Sequence, residues 1–86
     1  ETAWGVAEKL REVSRTCQCL CITHLPQIAA FADGHFRVTK EASSGRTVIK
    51  VLPLDRKARV DEIARMLGGS NSASRRHAKD LLKRAL

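Results

Sequence analysis

The chain has 86 residues, of which 43% are hydrophobic and 29% charged, and its formal net charge at pH 7 is +7. This balance is typical of a globular chain and excludes a disordered one, and the length allows one domain with a modest core or one piece of a larger domain. The longest mostly apolar run, at 17–23, is far shorter than the ~20 residues of a membrane-spanning helix.

The N-terminal residues carry neither an initiator methionine nor a signal peptide. Glu1 is followed by Thr2, Ala3 and Trp4, without the basic start and apolar stretch of a secreted protein. We therefore expect a cytoplasmic protein and a chain that is cut from a longer one.

Positive charge is concentrated in the last third of the chain. Residues 1–55 hold seven Lys or Arg against six Asp or Glu, whereas residues 56–86 hold nine against three. Such a basic segment favours an anionic partner, most often nucleic acid. A solvated pair of basic helices would give the same composition, so both interpretations stay open.

The first predicted elements are a helix and a strand. Apolar residues at Val6, Leu10 and Val13 predict a helix over 3–15, and we expect Trp4 to pack against the next element. Residues 16–23 then predict a strand that is apolar on both faces, which is typical of a parallel sheet covered on both sides.

Three cysteines alternate along this predicted strand, at Cys17, Cys19 and Cys21. Zinc sites commonly use two Cys-x-x-Cys pairs, and an odd number of cysteines does not favour a disulfide framework. We therefore expect buried, reduced side chains and no metal site.

The polar pair Thr23 and His24 ends the strand, and Pro26 fits the first position of a helix over about 26–33. In an open α/β sheet, chemistry collects at the carboxyl ends of the strands, and a helix N-terminus favours anions. His24 is therefore the best candidate for a group that meets a phosphate or a reacting water. An ordinary polar residue at a strand end is the alternative.

The second half of the chain predicts a hairpin and two helices. Strands at 35–40 and Arg46–Leu52 flank a five-residue turn, with Phe36 and Val38 facing inward. Asp55 caps a helix over 56–67, which Gly68 ends.

A polar linker at 70–72 precedes a last helix, which begins at Ala73 or Ser74 and runs to Leu86. Its inward residues are Ala78, Leu81, Leu82 and Ala85. Its outward face is basic, and the candidate nucleic-acid contacts are Arg75, Arg76, Lys79, Lys83 and Arg84. The expected fold class is α/β: a helix, a parallel-type strand, a short helix, an antiparallel hairpin and two C-terminal helices.

The segment from Cys19 to Asp33, with Ile22-Thr23-His24-Leu25-Pro26-Gln27 at its centre, resembles the switch-histidine segment of the RecN family of bacterial DNA repair proteins. That family is similar to the SMC branch of ABC-type ATPases. The resemblance continues through 35–40, the hairpin and Arg59–Gly69, and it includes Ala7–Leu10 upstream.

The resemblance implies an ATP-hydrolysing head that dimerises with ATP at its interface and acts in repair and recombination of double-strand breaks, at the nucleoid. It implies that His24 is the switch histidine beside the γ-phosphate, with Thr23 next to it. It also implies ATP and Mg²⁺ as cofactors of the full-length protein, with the missing N-terminal part of the head and a second head as partners.

The phosphate-binding loop, the signature loop and the magnesium-binding strand of that family are not found here. We therefore expect a C-terminal piece of the head that does not hydrolyse ATP on its own. Residues 1–69 would form the lobe, as 1–34, 35–54 and 55–69, and residues 70–86 the linker and basic helix.

Two other functions fit parts of the chain. A winged-helix DNA-binding module would use the hairpin as its wing, although a wing normally follows the recognition helix and the gap from Leu67 to Ser74 is long for a helix-turn-helix. An interaction module would dock the last helix on a partner, which requires its apolar residues to be exposed. In the ATPase-head interpretation, the strand at Cys17–Thr23 lacks its neighbour and has an unpaired edge, which predicts marginal stability or self-association.

Overall fold

The computed structural model describes residues 2–69 and 71–85. Its elements are α1 (Thr2–Val13), α2 (Pro26–Ala30), β1 (Phe36–Ser43), β2 (Arg46–Pro53), α3 (Arg56–Met66) and α4 (Ser72–Arg84). The α/β class, with an antiparallel hairpin and two C-terminal helices, is confirmed. Among these helices, none has the length and apolar character needed to cross a membrane.

The core lies between α3 and α4. Ile63, Ala64 and Ala78 have no exposed surface, and α2 adds Ala30 to the same cluster. The small alanine side chains allow the helices to approach closely. Among the described residues, Ile63 is the only large side chain that is fully buried. The remaining buried members of the cluster are Val60, Leu81 and Ala85.

Side-chain caps set where the last two helices begin. The Asp55 carboxylate accepts a hydrogen bond from the Ala58 N–H at 2.8 Å, as predicted. Asn71 accepts one from the Ser74 N–H at 2.8 Å, and this cap starts α4 at Ser72, slightly earlier than the sequence predicts. Each cap satisfies an N–H that has no partner within its own helix.

The hairpin turn is tighter than predicted. Ser43 pairs with Arg46, which leaves only Ser44 and Gly45 in the turn, at φ 51° and 76°. Two central residues with positive φ are typical of a type I′ turn, whose twist matches that of the strands. The predicted five-residue loop over 41–45 was therefore wrong, because pairing continues to the end of each strand.

One face of the hairpin is apolar and exposed. Phe36 and Val38 lie on the same face as Ile49 and Val51, and each of the four is 56–63% exposed. The prediction that Phe36 and Val38 face inward was wrong, because no element of the described residues covers this face. The opposite face carries Arg37, which forms an ion pair with Glu62 of α3.

Residues 17–23 do not form a strand. They lie in an exposed connection without regular structure, where Leu20 is 91% and Ile22 98% exposed, and the three cysteines are exposed and reduced. The predicted strand, buried on both faces, is therefore wrong for this chain. A strand needs a neighbour for its N–H and C=O groups, and the two described strands pair with each other. In the described residues no cluster of three metal-ligating side chains occurs.

Glu62 joins the hairpin to α3. Its carboxylate, 8% exposed, accepts hydrogen bonds from Arg65 Nε at 3.0 Å and Nη2 at 2.5 Å, and Arg37 Nε lies 3.6 Å away. The hydrogen bonds from Arg65 hold the pKa of Glu62 below its ordinary value, against the opposing effect of burial. A buried carboxylate paired in this way stabilises the fold only while it is ionised.

The core analysis predicts that Ile63→Ala lowers the free energy of unfolding by about 2–5 kcal/mol, because a fully buried side chain leaves a cavity. Ile49→Ala is the matched control: the same atoms are removed from a side chain that is 61% exposed, and the loss should stay below about 1 kcal/mol. Urea denaturation followed by circular dichroism measures both. Equal losses would contradict this assignment of the core.

A second prediction concerns pH. The folded pKa of Glu62 is depressed, so its stabilisation is present above the unfolded value of 4.5 and is lost as pH falls through the folded pKa. Glu62→Gln should therefore destabilise the chain near neutral pH, and the difference from wild type should shrink as pH falls below 4.5. Thermal melts between about pH 7 and about pH 3 test this. A destabilisation that is independent of pH, or one equalled by exposed Glu8→Gln, would refute it.

Candidate functional site

The predicted site residues lie in the connection that leads into α2. The Thr23 hydroxyl accepts a hydrogen bond from the Leu25 N–H at 3.0 Å. Leu25 is extended, as the residue before a proline must be, and Pro26 opens α2 as predicted. His24 is therefore held between a local side-chain turn and a rigid helix start.

The imidazole of His24 is exposed. Two surface clefts, of about 510 and 400 Å³, are lined by other residues and include neither Thr23 nor His24. Within residues 2–69 and 71–85, neither of these two clefts therefore encloses this histidine. The predicted helix over 26–33 ends at Ala30, and a helix of five residues is too short to supply the anion-binding N-terminus that the sequence suggested.

Arg59 anchors α2 to the helical core. Its Nη2 atom donates to the carbonyl oxygens of Ala29 and Ala32, at 3.2 and 2.9 Å, and lies 3.5 Å from the carbonyl oxygen of Ala30. The Ala29 carbonyl also accepts a hydrogen bond from the Ala32 N–H, so the guanidinium adds a donor to the last turn of α2 and to the residues that follow it. Sequence reasoning missed this role, because nothing in the sequence identifies which arginine of α3 turns toward α2.

A second contact joins α1, α2 and α4. Trp4 packs edge-on against Phe31, with ring centroids 5.2 Å apart. It therefore lies on the residue that follows α2, and not on the segment 16–23 that was predicted as the next element. Arg84 lies over the Trp4 ring at 3.8 Å, and Arg11 over the Phe31 ring at 4.7 Å. Arg11 also donates to the backbone carbonyls of Phe31 and Ala85. This cluster lines the larger cleft and ties the start of α1 to the end of α4.

The five candidate nucleic-acid residues of α4 fall into two groups. Arg75 pairs with Asp61 of α3, and Arg84 stacks on Trp4, so both contribute to packing within the chain. The other three are exposed on the side of α4 opposite its buried face: Arg76, Lys79 and Lys83. Arg84 is also exposed, but its guanidinium lies over Trp4, whereas no ion pair or cation–π contact among the described residues engages the second group.

The buried face of α4 also bears on the interaction-module alternative. Ala78, Leu81 and Ala85 are at most 5% exposed because they pack within the chain. The apolar face of α4 is therefore occupied and is not available to dock a partner. The winged-helix alternative is not favoured either, since the hairpin precedes the helix pair, whereas a wing normally follows its recognition helix.

No protein-family model matches the chain, but curated relatives do. The DNA repair protein RecN of Bacillus subtilis is 49% identical over 85 residues, which is 96% of this chain and 15% of that protein. The RecN proteins of Halalkalibacterium halodurans and Deinococcus radiodurans are 44% and 48% identical over 93% of the chain. The chain is homologous to a segment of RecN. The resemblance inferred from its residues is thus confirmed, and the chain spans about 15% of the length of these RecN proteins.

The exposed segment 17–23 predicts self-association of this RecN-like chain at high concentration, because its exposed apolar side chains and its backbone outside any sheet can pair with a second copy. Replacing Leu20 and Ile22 together by lysine should abolish this, as measured by sedimentation velocity. The same two changes at Ile49 and Val51, on the hairpin, form the control.

Two results would contradict this prediction. One is a wild-type chain that stays monomeric and melts cooperatively at high concentration. The other is association that the hairpin variant abolishes and the variant at Leu20 and Ile22 leaves intact.

Proposed function

We propose that the chain is the C-terminal part of the ATPase head of a RecN-type DNA repair protein, and that it supplies His24 to a composite ATP site. The observation that carries the proposal is the placement of His24: exposed, two residues before the Pro26 that opens α2, within a segment homologous to RecN. A histidine held in this way is accessible to a reacting group that another part of the head presents.

The residues present do not fit ATP on their own. The sequence holds no Gly-x-x-x-x-Gly-Lys-Ser/Thr loop, and neither cleft lies at His24. In the proposal, ATP and Mg²⁺ are held by parts of the full-length protein outside these 86 residues. The bound nucleotide supplies the phosphoryl group, and this chain supplies a positioned imidazole.

The work of the imidazole follows from the nature of phosphoryl transfer. The protein contributes mainly by positioning groups and stabilising charge, since the transferred group needs little covalent assistance. His24 can donate or accept a hydrogen bond at either ring nitrogen, and Thr23 fixes the turn that carries it. In the proposal, His24 therefore contributes a hydrogen-bonding group at a fixed position, and Thr23 and Pro26 restrict the backbone that sets this position.

The scaffold limits how far His24 can move. Arg59 fixes the end of α2 on α3, and the contact between Trp4 and Phe31 fixes the residue after α2 on α1. Pro26 restricts the backbone at the start of α2, two residues after His24. In the full-length protein, the head would act in double-strand break repair and recombination as a pair of heads, in the cytoplasm at the nucleoid.

The test is ATP turnover by the full-length protein that carries this chain. We expect His24→Ala to lower turnover by about 100-fold or more, with nucleotide binding largely retained, because a group that acts in the reaction affects rate more than affinity. His77→Ala, a change of the same residue type at an exposed position of α4, should leave turnover unchanged.

A reconstitution separates this chain's contribution from that of the rest. The chain alone should show no turnover, and activity should appear on mixing with the remaining part of the head, only when His24 is present. Wild-type turnover by His24→Ala, or equal losses in the variants at His24 and His77, would refute the proposed role.

A further inference from the structure

The exposed side of α4 carries three cations in a row. Arg76, Lys79 and Lys83 are spaced i, i+3 and i+7, which places them along one side of a helix. The residues on the opposite side, Ala78 and Leu81, are buried in the core. We call the three basic residues the α4 stripe.

The cations of the α4 stripe are not engaged within the described part of the chain. The ion pairs recorded for residues 2–69 and 71–85 include none of the three. The neighbouring cations differ, since Arg75 pairs with Asp61 and Arg84 covers the Trp4 ring. Asp80 is the one carboxylate on α4, and it makes no recorded ion pair with the stripe. The stripe therefore holds a net positive charge in water.

The length of the stripe suits the backbone of duplex DNA. Seven residues of helix span about 10 Å. Each strand of a duplex advances about 3.4 Å per phosphate along the axis, so that length faces about three phosphates of one strand. Three long, flexible side chains on a rigid helix can each reach one of them.

The absence of Trp, Phe and Tyr side chains from α4 favours duplex DNA over single-stranded DNA as the partner. Proteins that bind single strands combine basic residues with aromatic platforms on which bases stack. The chain has one Trp, two Phe and no Tyr, and none of them lies on α4. Trp4 and Phe31 pack against each other and under arginines, and Phe36 lies on the hairpin. The stripe offers charge without stacking, which suits an intact duplex.

We infer that the α4 stripe, Arg76, Lys79 and Lys83, binds the phosphate backbone of duplex DNA without reading its sequence. This contact goes beyond the role proposed for His24 and does not depend on it. DNA binding and ATP turnover are measured separately, so either can fail while the other stands.

The experiment measures binding of the chain to a labelled duplex of about 20 base pairs by fluorescence anisotropy, from about 50 to about 200 mM salt. Each phosphate contact contributes about 0.9 to the slope of log K against log salt. Replacing all three stripe residues by glutamine should reduce that slope by about 2.7 and weaken binding about 10-fold or more near 100 mM salt. The single variant Lys79→Gln should reduce it by about 0.9.

The matched control removes the same number of positive charges, three, from another part of the chain. Arg15, Lys40 and Arg46 are exposed and outside α4, and replacing them by glutamine should change the slope by less than about 1. Circular dichroism of each variant confirms that helix content is retained. Three results would overturn the inference: no binding by the wild type near 50 mM salt, equal losses in the two triple variants, or tighter binding to a single strand than to the duplex.

Discussion

The hydrogen bonds from Arg59 to the end of α2 are the contact on which the site depends. A helix of five residues is not stable alone, because forming its first turn fixes several residues for few hydrogen bonds. One guanidinium on α3 binds the carbonyls of Ala29 and Ala32 and so fixes this short helix on the core. Pro26 and His24 then occupy defined positions beside that core. The chemistry proposed for His24 thus relies on an arginine outside its own segment.

The core and the open surfaces lie in different parts of the chain. α3 and α4 bury Ile63, Ala64 and Ala78 against each other, whereas segment 17–23 and one face of the hairpin expose apolar side chains. A small core of this kind stabilises the two helices and leaves the strand-forming residues without cover. Under the proposed function, elements of the head outside these 86 residues would cover those surfaces.

Local features of the fold could be predicted from the sequence. The helix starts at Asp55 and Pro26 and the buried face of α4 follow from capping, from proline geometry and from periodicity. The resemblance to RecN could be inferred from the residues around His24, and the relatives confirm it.

The features that could not be predicted depend on partners distant in sequence. Residues 17–23 have the composition of a buried strand, but composition does not supply the neighbouring strand that pairing requires. The same holds for Phe36 and Val38, whose alternation indicates a buried face without showing what covers it. Arg59 and Arg11 look like ordinary surface arginines in the sequence, and only the fold shows that they bind carbonyls of α2 and its neighbours. Which basic residues of α4 make contacts within the chain likewise depends on the positions of Asp61 and Trp4.

The proposed composite site requires the rest of the head to cover segment 17–23, which leads directly into His24. Hydrogen exchange of the backbone amides of this segment tests this requirement most directly. We expect fast exchange in the chain alone and strong protection after mixing with the remaining part of the head. Amides that are already protected in the chain alone, or that remain unprotected in the mixture, would contradict the account.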